Sequence, residues 1–128
     1  MSTIENIARQ VVDSAYQVHS QLGPGLLESS YELCLCHELS LRQIRFQRQL
    51  SLPLQYKGLR LESGYRIDLL VEDQLIVELK AVKALEEIHR AQLLTYLKLQ
   101  KRTLGLLINF NTTHIKDGIK RVVHNHPN

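Results

Sequence analysis

Apolar residues recur at three- and four-residue steps from the start of the chain: Ile4, Ile7, Ala8, Val11, Ala15, Val18 and Leu22. That period predicts an amphipathic helix over Ile4 to Leu22, capped by Ser2 or Thr3. Gly23-Pro24-Gly25 breaks the chain, and a second helix is expected over about Leu26 to Arg42, burying Leu27, Tyr31, Cys34, Leu35 and Leu39. The period then drops to two. Phe46, Arg48, Leu50, Leu52, Leu54 and Tyr56 alternate with polar neighbours as in a half-buried strand, and Pro53 assigns it to an edge or a bulge. Lys57-Gly58 is read as a turn, Leu59 to Leu61 as a short strand and Ser63-Gly64 as another turn. Tyr65 to Val71 and Leu75 to Ala81 read as a hairpin closed by Glu72-Asp73-Gln74. A third helix is expected from about Leu85 to Gln100, with Ile88, Ala91, Leu94 or Thr95, and Leu99 inward. Leu104 to Phe110 is apolar enough for a strand buried on both faces. Ile119 to Val123 reads as a last strand, and residues 124–128 as a frayed tail.

The resulting order, α-α-β-β-β-α-β-β, predicts an α/β domain with a mixed central β-sheet flanked by helices, in which the strands either side of the third helix run parallel. At 128 residues, 44% hydrophobic and 23% charged, the chain suits one globular domain over 1–128 and not a disordered or disulfide-stapled one. Its net charge of +3 is compatible with phosphate contact but does not demand it. Cys34 and Cys36 sit two apart on an expected helix, project to nearly opposite sides, and read as reduced structural thiols. No run approaches the length of a membrane span, and the first residues do not resemble a secretory signal, so a cytoplasmic, non-membrane protein is expected.

The hairpin carries the chemistry. With its turn centred on Asp73, Asp68 lies opposite Glu78, Arg66 opposite Lys80 and Ile67 opposite Leu79. Ile67, Leu69, Val71, Leu75, Val77 and Leu79 then share a core face, while Arg66, Asp68, Leu70, Ile76, Glu78 and Lys80 share the other. Two carboxylates with Cβ atoms about 5 Å apart repel unless a cation or proton intervenes. Carboxylate oxygens suit Mg²⁺ or Mn²⁺, and Lys80 lies within reach of an activated water or a scissile phosphate, as metal-assisted phosphodiester hydrolysis requires. The same four charges also read as a solvated cross-strand ladder.

Asp68, nine residues, then Glu78-Leu79-Lys80 resembles the core signature of the PD-(D/E)XK nuclease superfamily. Gln92-Leu-Leu-Thr-Tyr96 resembles the Gln-x-x-x-Tyr helix of its exonuclease-like branch, and Gly25-Leu-Leu-Glu28-Ser-Ser-Tyr31 matches the motif that names the GxxExxY family within it. The similarity spans about Ile7 to Val123. It implies a restriction-endonuclease-like core in which Asp68, Glu78, Glu28 and the Leu79 backbone carbonyl hold Mg²⁺ or Mn²⁺. It also implies that Lys80 orients the attacking water or stabilises charge on the phosphate, and that Gln92 and Tyr96 reach the same phosphate or brace Lys80. Ile67 stands where the superfamily's name has proline.

The reading that follows is a metal-dependent nuclease acting on nucleic acid, DNA before RNA, with a metal-activated water. A homodimer is the preferred assembly, since a small one-domain nuclease often needs a second subunit to hold a duplex. The alternatives are a catalytically weak or silent nucleic-acid-binding or assembly module of the same fold, and an interaction protein whose charged hairpin is only surface. Arg42, Arg45, Arg48, Lys57, Arg60 and Arg66 are candidates for phosphate contacts blind to base sequence. His19 and His89 are minor candidates for bordering the site, Tyr31 reads as core, and Glu28 also suits the positive end of its helix.

Overall fold

The Thr3 hydroxyl accepts from the Asn6 amide at 3.2 Å and starts helix α1, Ile4–Leu22. Its stripe of Ile7, Ala8, Val11, Ala15 and Val18 is buried as the spacing required, while Leu22 at the end is exposed. The computed structural model describes residues 2–127. Helix α2, Glu28–Leu41, begins two residues later than expected because Leu26 belongs to the preceding turn. There the Tyr31 hydroxyl donates to the Gly23 carbonyl at 2.6 Å and accepts from the Leu26 amide at 3.0 Å. Gly23 and Gly25 supply the positive φ angles, +71° and +99°, that the turn needs. The tyrosine ring stacks on Phe110 with centroids 4.7 Å apart, so the end of the turn that delivers Glu28 is fixed to the core. Leu27 and Cys34, expected inside, are exposed; Glu32 and Cys36 are buried instead.

Five strands follow in spatial order β1-β2-β3-β4-β5: β1 Phe46–Tyr56, β2 Leu59–Val71, β3 Leu75–Lys80, β4 Leu104–Asn109 and β5 Ile119–Val123. All neighbours are antiparallel except β3 and β4, which helix α3, Glu87–Gln100, joins in parallel. This is the mixed, helix-flanked α/β architecture expected of a restriction-endonuclease-like core. A short 3₁₀ turn over Ile115–Gly118 precedes β5 and was not legible in the sequence.

The turn expected at Ser63-Gly64 does not form. Strand β2 runs through it, and the surplus residues sit as a bulge opposite Pro53, between the pairs Leu52↔Tyr65 and Leu54↔Leu61. Gly64 is obligatory here because an added Cβ would lie 2.2 Å from Leu54 Cβ. Gly64→Ala is expected to cost about 1–3 kcal/mol through the forced displacement of β1. Thermal melting of the variant checks this, and an unchanged midpoint would refute the close approach.

Helices α1 and α2 cover one face of the sheet over Leu69, Val71, Leu75, Val77, Leu79, Leu106 and Ile108. Helix α3 covers the other, setting Leu93 and Leu97 against Ile67, Leu70, Ile76, Leu107 and Val122. Its inward stripe is therefore not the expected one: Ile88 and Leu99 are exposed. Gly105 explains the rotation, since its missing side chain admits Leu93, whose Cδ1 would lie only 2.8 Å from a Cβ there. The tail expected to fray is held as far as His126, whose ring meets Thr103 Oγ1 at 2.9 Å and Glu5 Oε2 at 2.7 Å; residue 128 lies outside the described residues.

Candidate active site

Strands β2 and β3 pair only through Leu69↔Val77, Leu70↔Ile76 and Val71↔Leu75, the register set by a turn on Asp73. Beyond it β2 continues with β1 and β3 with β4, and the ladder between β2 and β3 ends at the site. Two carboxylates occupy the gap. The Asp68 amide donates to Glu78 Oε2 at 2.7 Å, and the Leu79 amide donates to Asp68 Oδ2 at 2.8 Å. Each acid thus satisfies a backbone donor that lost its strand partner, which the chain must do for any buried amide. The expected pairings of Arg66 with Lys80 and of Ile67 with Leu79 are absent from the ladder, because the strands part before reaching them.

Alternation also breaks at this point. Leu69 packs under α1 and α2, whereas Ile67, two residues earlier, packs under α3. The common core face expected for Ile67 with Leu69, Val71, Leu75, Val77 and Leu79 is therefore corrected. The reversal falls on Asp68, beside Gln49 of β1, which holds a left-handed φ of +53°. A single uniform period cannot describe a strand with such a twist, so the face assigned from sequence failed at the residue that mattered most.

Glu78 is only 4% exposed, and burial, followed by the charge of Asp68, pushes its carboxyl from 4.5 to about 8. Lys80, at the end of β3, acts in the opposite direction on Glu78 and on Glu28. Glu28 opens α2 and is exposed, yet desolvation of its carboxyl, then the field of Asp68, raises its pKa. Tyr96, half-buried on α3, has its hydroxyl pKa raised by burial and then by Glu78 and Asp68. Its ring stacks on Tyr65 with centroids 5.3 Å apart. The fold therefore gathers Glu28, Asp68, Glu78, Lys80 and Tyr96 from α2, β2, β3 and α3. Gln92 sits one turn before Tyr96 on α3 and is exposed. Among the described residues no three His, Cys, Asp or Glu side chains form a ready metal cluster, so Glu28 does not close with Asp68 and Glu78 into a three-acid shell.

The sequence reading missed a second tier of residues. Buried Glu32 accepts from Gln49 Nε2 at 2.6 Å and pairs with Arg48 Nε at 2.7 Å. The same Gln49 amide reaches Asp68 Oδ1 at 3.4 Å. This chain ties α2 to β1 and β1 to the site. The available signal was the four-residue spacing of Glu28 and Glu32, which places both acids on one helix face. Glu32→Ala is expected to lower stability by about 1–3 kcal/mol by stranding Gln49 and Arg48, and Glu32→Gln by less, because its carboxamide oxygen still accepts from Gln49. Chemical denaturation of the two variants checks the order.

Most of the cations proposed for phosphate contact are engaged within the chain: Arg42 with Asp13 and Glu38, Arg45 with Glu72, Arg48 with Glu32 and Arg60 with Glu62. Lys57 and Arg66 make no ion pair among the described residues. His19 bonds the Thr112 carbonyl at 2.8 Å, and His89 caps α3 by accepting the Glu86 amide at 3.0 Å, so both are structural. No described helix is long and apolar enough to cross a membrane.

A mixed sheet whose central strands part around two acids and a lysine is the core arrangement of a nuclease-like α/β protein. The chain belongs to the PD-(D/E)XK nuclease superfamily, whose family model matches residues 5–122. Comparison with curated proteins and with solved structures returned no match. The superfamily is one of nucleases, which generally use divalent metals and act on nucleic acid.

Proposed function

We propose that the protein hydrolyses phosphodiester bonds of nucleic acid, DNA before RNA, with Mg²⁺ or Mn²⁺ held by Asp68, Glu78 and the Leu79 carbonyl. The observation that carries this reading is the buried Glu78 carboxyl held against Asp68 where the β2–β3 ladder ends. Such a pair is costly as two anions and fits a hard divalent cation, whose oxygen preference matches the donors. The ion, when bound, supplies Lewis-acid polarisation of the phosphate and a more acidic water.

The residues around it have separate roles. The Leu79 amide fixes Asp68 Oδ2, leaving Oδ1 open toward the site apart from the long contact to Gln49. Lys80 places a positive charge near Glu78 and Glu28 and stabilises negative charge that develops on the phosphate. Glu28 and Tyr96 border the cleft from opposite faces of the sheet; Glu28 adds an acid outside the central pair, and Tyr96 and Gln92 offer hydrogen bonds to the substrate backbone. Within the superfamily, Gly25, Glu28 and Tyr31 support assignment to the GxxExxY group, because their roles here are one mechanical unit: a positive-φ turn, an acid at the cleft and the hydroxyl that anchors the turn. A single domain, a homodimer and a cytoplasmic setting belong to the same reading, the last supported by two free thiols.

The test is cleavage of linear, circular and single-stranded DNA and of RNA by purified protein with Mn²⁺, Mg²⁺ or EDTA. Metal-dependent products that vanish in Asp68→Asn support the reading; products that persist in that variant, or no products from any substrate, defeat it.

A further inference from the structure

The β1–β2 ribbon outruns the sheet. Strand β2 spans Leu59–Val71 but meets β3 only from Leu69 onward, so its stretch from Leu59 to Ile67 has β1 on one side and no strand on the other. Its inner end rests on α3, where Ile67 is buried and Tyr65 stacks on Tyr96, so the free part of β2 is Leu59 to Gly64, roughly 20 Å at about 3.3 Å per residue, starting four residues from Asp68. Its outer half, past the Gly64 bulge, carries exposed side chains on both faces. Leu54↔Leu61 and Tyr56↔Leu59 are successive same-face pairs of the ladder, and Tyr56, Leu59 and Leu61 are exposed by 63%, 57% and 45%. Gln55↔Arg60 lies between them and projects the other way. From Leu52 to Ile67 there are three cations, Lys57, Arg60 and Arg66, against the single acid Glu62. Lys57 sits at the tip over the Tyr56 ring, 5.3 Å from its centre, and all three cations are exposed.

We propose that this ribbon is a groove-binding arm for duplex DNA, a proposal that rests on the nuclease reading and specifies its substrate. An arm of two strands matches the width of the B-form major groove, about 12 Å, whereas the deep, narrow major groove of an RNA duplex does not admit it. Lys57 and Arg66 make no ion pair among the described residues, and Arg60 exchanges its exposed contact with Glu62 for a phosphate, so that all three meet phosphates along the groove walls. The exposed apolar face with Tyr56 faces base edges, where apolar and aromatic groups are tolerated and where a two-stranded ribbon alone in water would be only marginally stable. Because the arm joins the sheet near Asp68, a duplex seated along it passes the cleft at one end.

The experiment is fluorescence anisotropy in EDTA, so that binding is read without cleavage, using the full chain and 20-base-pair DNA, the same sequence as duplex RNA, and single-stranded DNA. The variants are Lys57→Glu/Arg60→Glu and Tyr56→Ala, all at exposed positions away from the core. The expected result is preference for duplex DNA over the other two. The charge-reversal variant should lose at least about tenfold in affinity, its log–log salt slope should flatten by about two, and Tyr56→Ala should weaken binding with no change in slope. Melting midpoints of both variants should equal that of the parent. Equal affinity in the charge-reversal variant, or equal binding of duplex RNA, overturns the proposal. So does a change of mass by light scattering without a change in DNA affinity, which would assign the ribbon to a second copy of the chain. Failure of the nuclease reading shows separately, as absence of Mn²⁺-dependent cleavage in the parent protein.

Discussion

Asp68→Asn and Lys80→Ala are each expected to reduce metal-dependent cleavage by a factor of about 10²–10³, the usual cost of removing one preorganised electrostatic group from a polar transition state. Their other properties should differ. Asparagine at 68 retains an oxygen to accept from the Leu79 amide, so the gap between β2 and β3 stays closed, but the anion that faces Glu78 is gone. Mn²⁺ affinity by titration calorimetry should therefore fall together with activity. Lys80 acts as a cation beside the acids and not as a ligand, so Lys80→Ala should keep Mn²⁺ binding and lose cleavage. Neither variant should be less stable than the parent by more than about 1 kcal/mol, and Asp68→Asn should be more stable in EDTA above about pH 8, where Glu78 ionises and a like-charge contact is removed. Functional sites are places where a fold tolerates unfavourable charge, and their neutralisation commonly raises stability. Loss of Mn²⁺ binding in Lys80→Ala would assign that lysine to holding the acids in place and would remove it from the chemistry.

The parts of the fold that were legible in the sequence are those with uninterrupted periodicity. Helix α1 and strands β1 and β5 came out with their observed limits, and the hairpin register followed from the short polar turn alone. The errors share a cause: a residue far away in sequence set the local outcome. Gly105 on β4 decided which face of α3 turns inward, and Glu32's partners on β1 drew that acid into the core of α2's footprint. The Ser63-Gly64 pair looked like a turn because glycine and serine favour turns, but the same small residues serve a bulge opposite Pro53. The sequence brought Asp68, Glu78 and Lys80 together, as the structure does, but set the acids across an intact ladder. The structure ends the ladder there and lets each acid bind the other strand's amide, a geometry that alternation cannot express. Gln49 escaped notice for the same reason: its role depends on a left-handed backbone that no local signal announces.

Without metal, stability should fall as pH rises from about 4.5 to about 8, and Glu78 should be the main reason. In the folded chain this carboxyl holds its proton up to about 8, against 4.5 ordinarily, because burial and then Asp68 disfavour the anion. The folded state therefore binds more protons than the unfolded one across that window. The stabilisation is complete below the unfolded pKa and is lost as pH climbs through the folded one, by at most about 1.4 kcal/mol per pH unit for one group. Glu28, raised for the same reasons, adds in the same direction. The acids shifted the other way cannot mask this. Glu5 is lowered to about 2, first by its hydrogen bond to Arg121, and Glu72 is lowered by the Arg45 amide; both contribute stability that is lost only as pH drops below 4.5. Glu78→Gln keeps an oxygen for the Asp68 amide and has nothing to titrate, so its melting midpoint should lie above the parent's at pH 8 and converge with it near pH 5. Mn²⁺ should raise the parent's midpoint little near pH 5 and progressively more as pH rises to 8, since below about 8 binding must expel the Glu78 proton, and calorimetry in buffers of different ionisation enthalpy should count that proton. A parent midpoint that does not change relative to Glu78→Gln between pH 5 and 8 would mean that the buried acid is already ionised and paired, and that Lys80, not an external cation, balances the site.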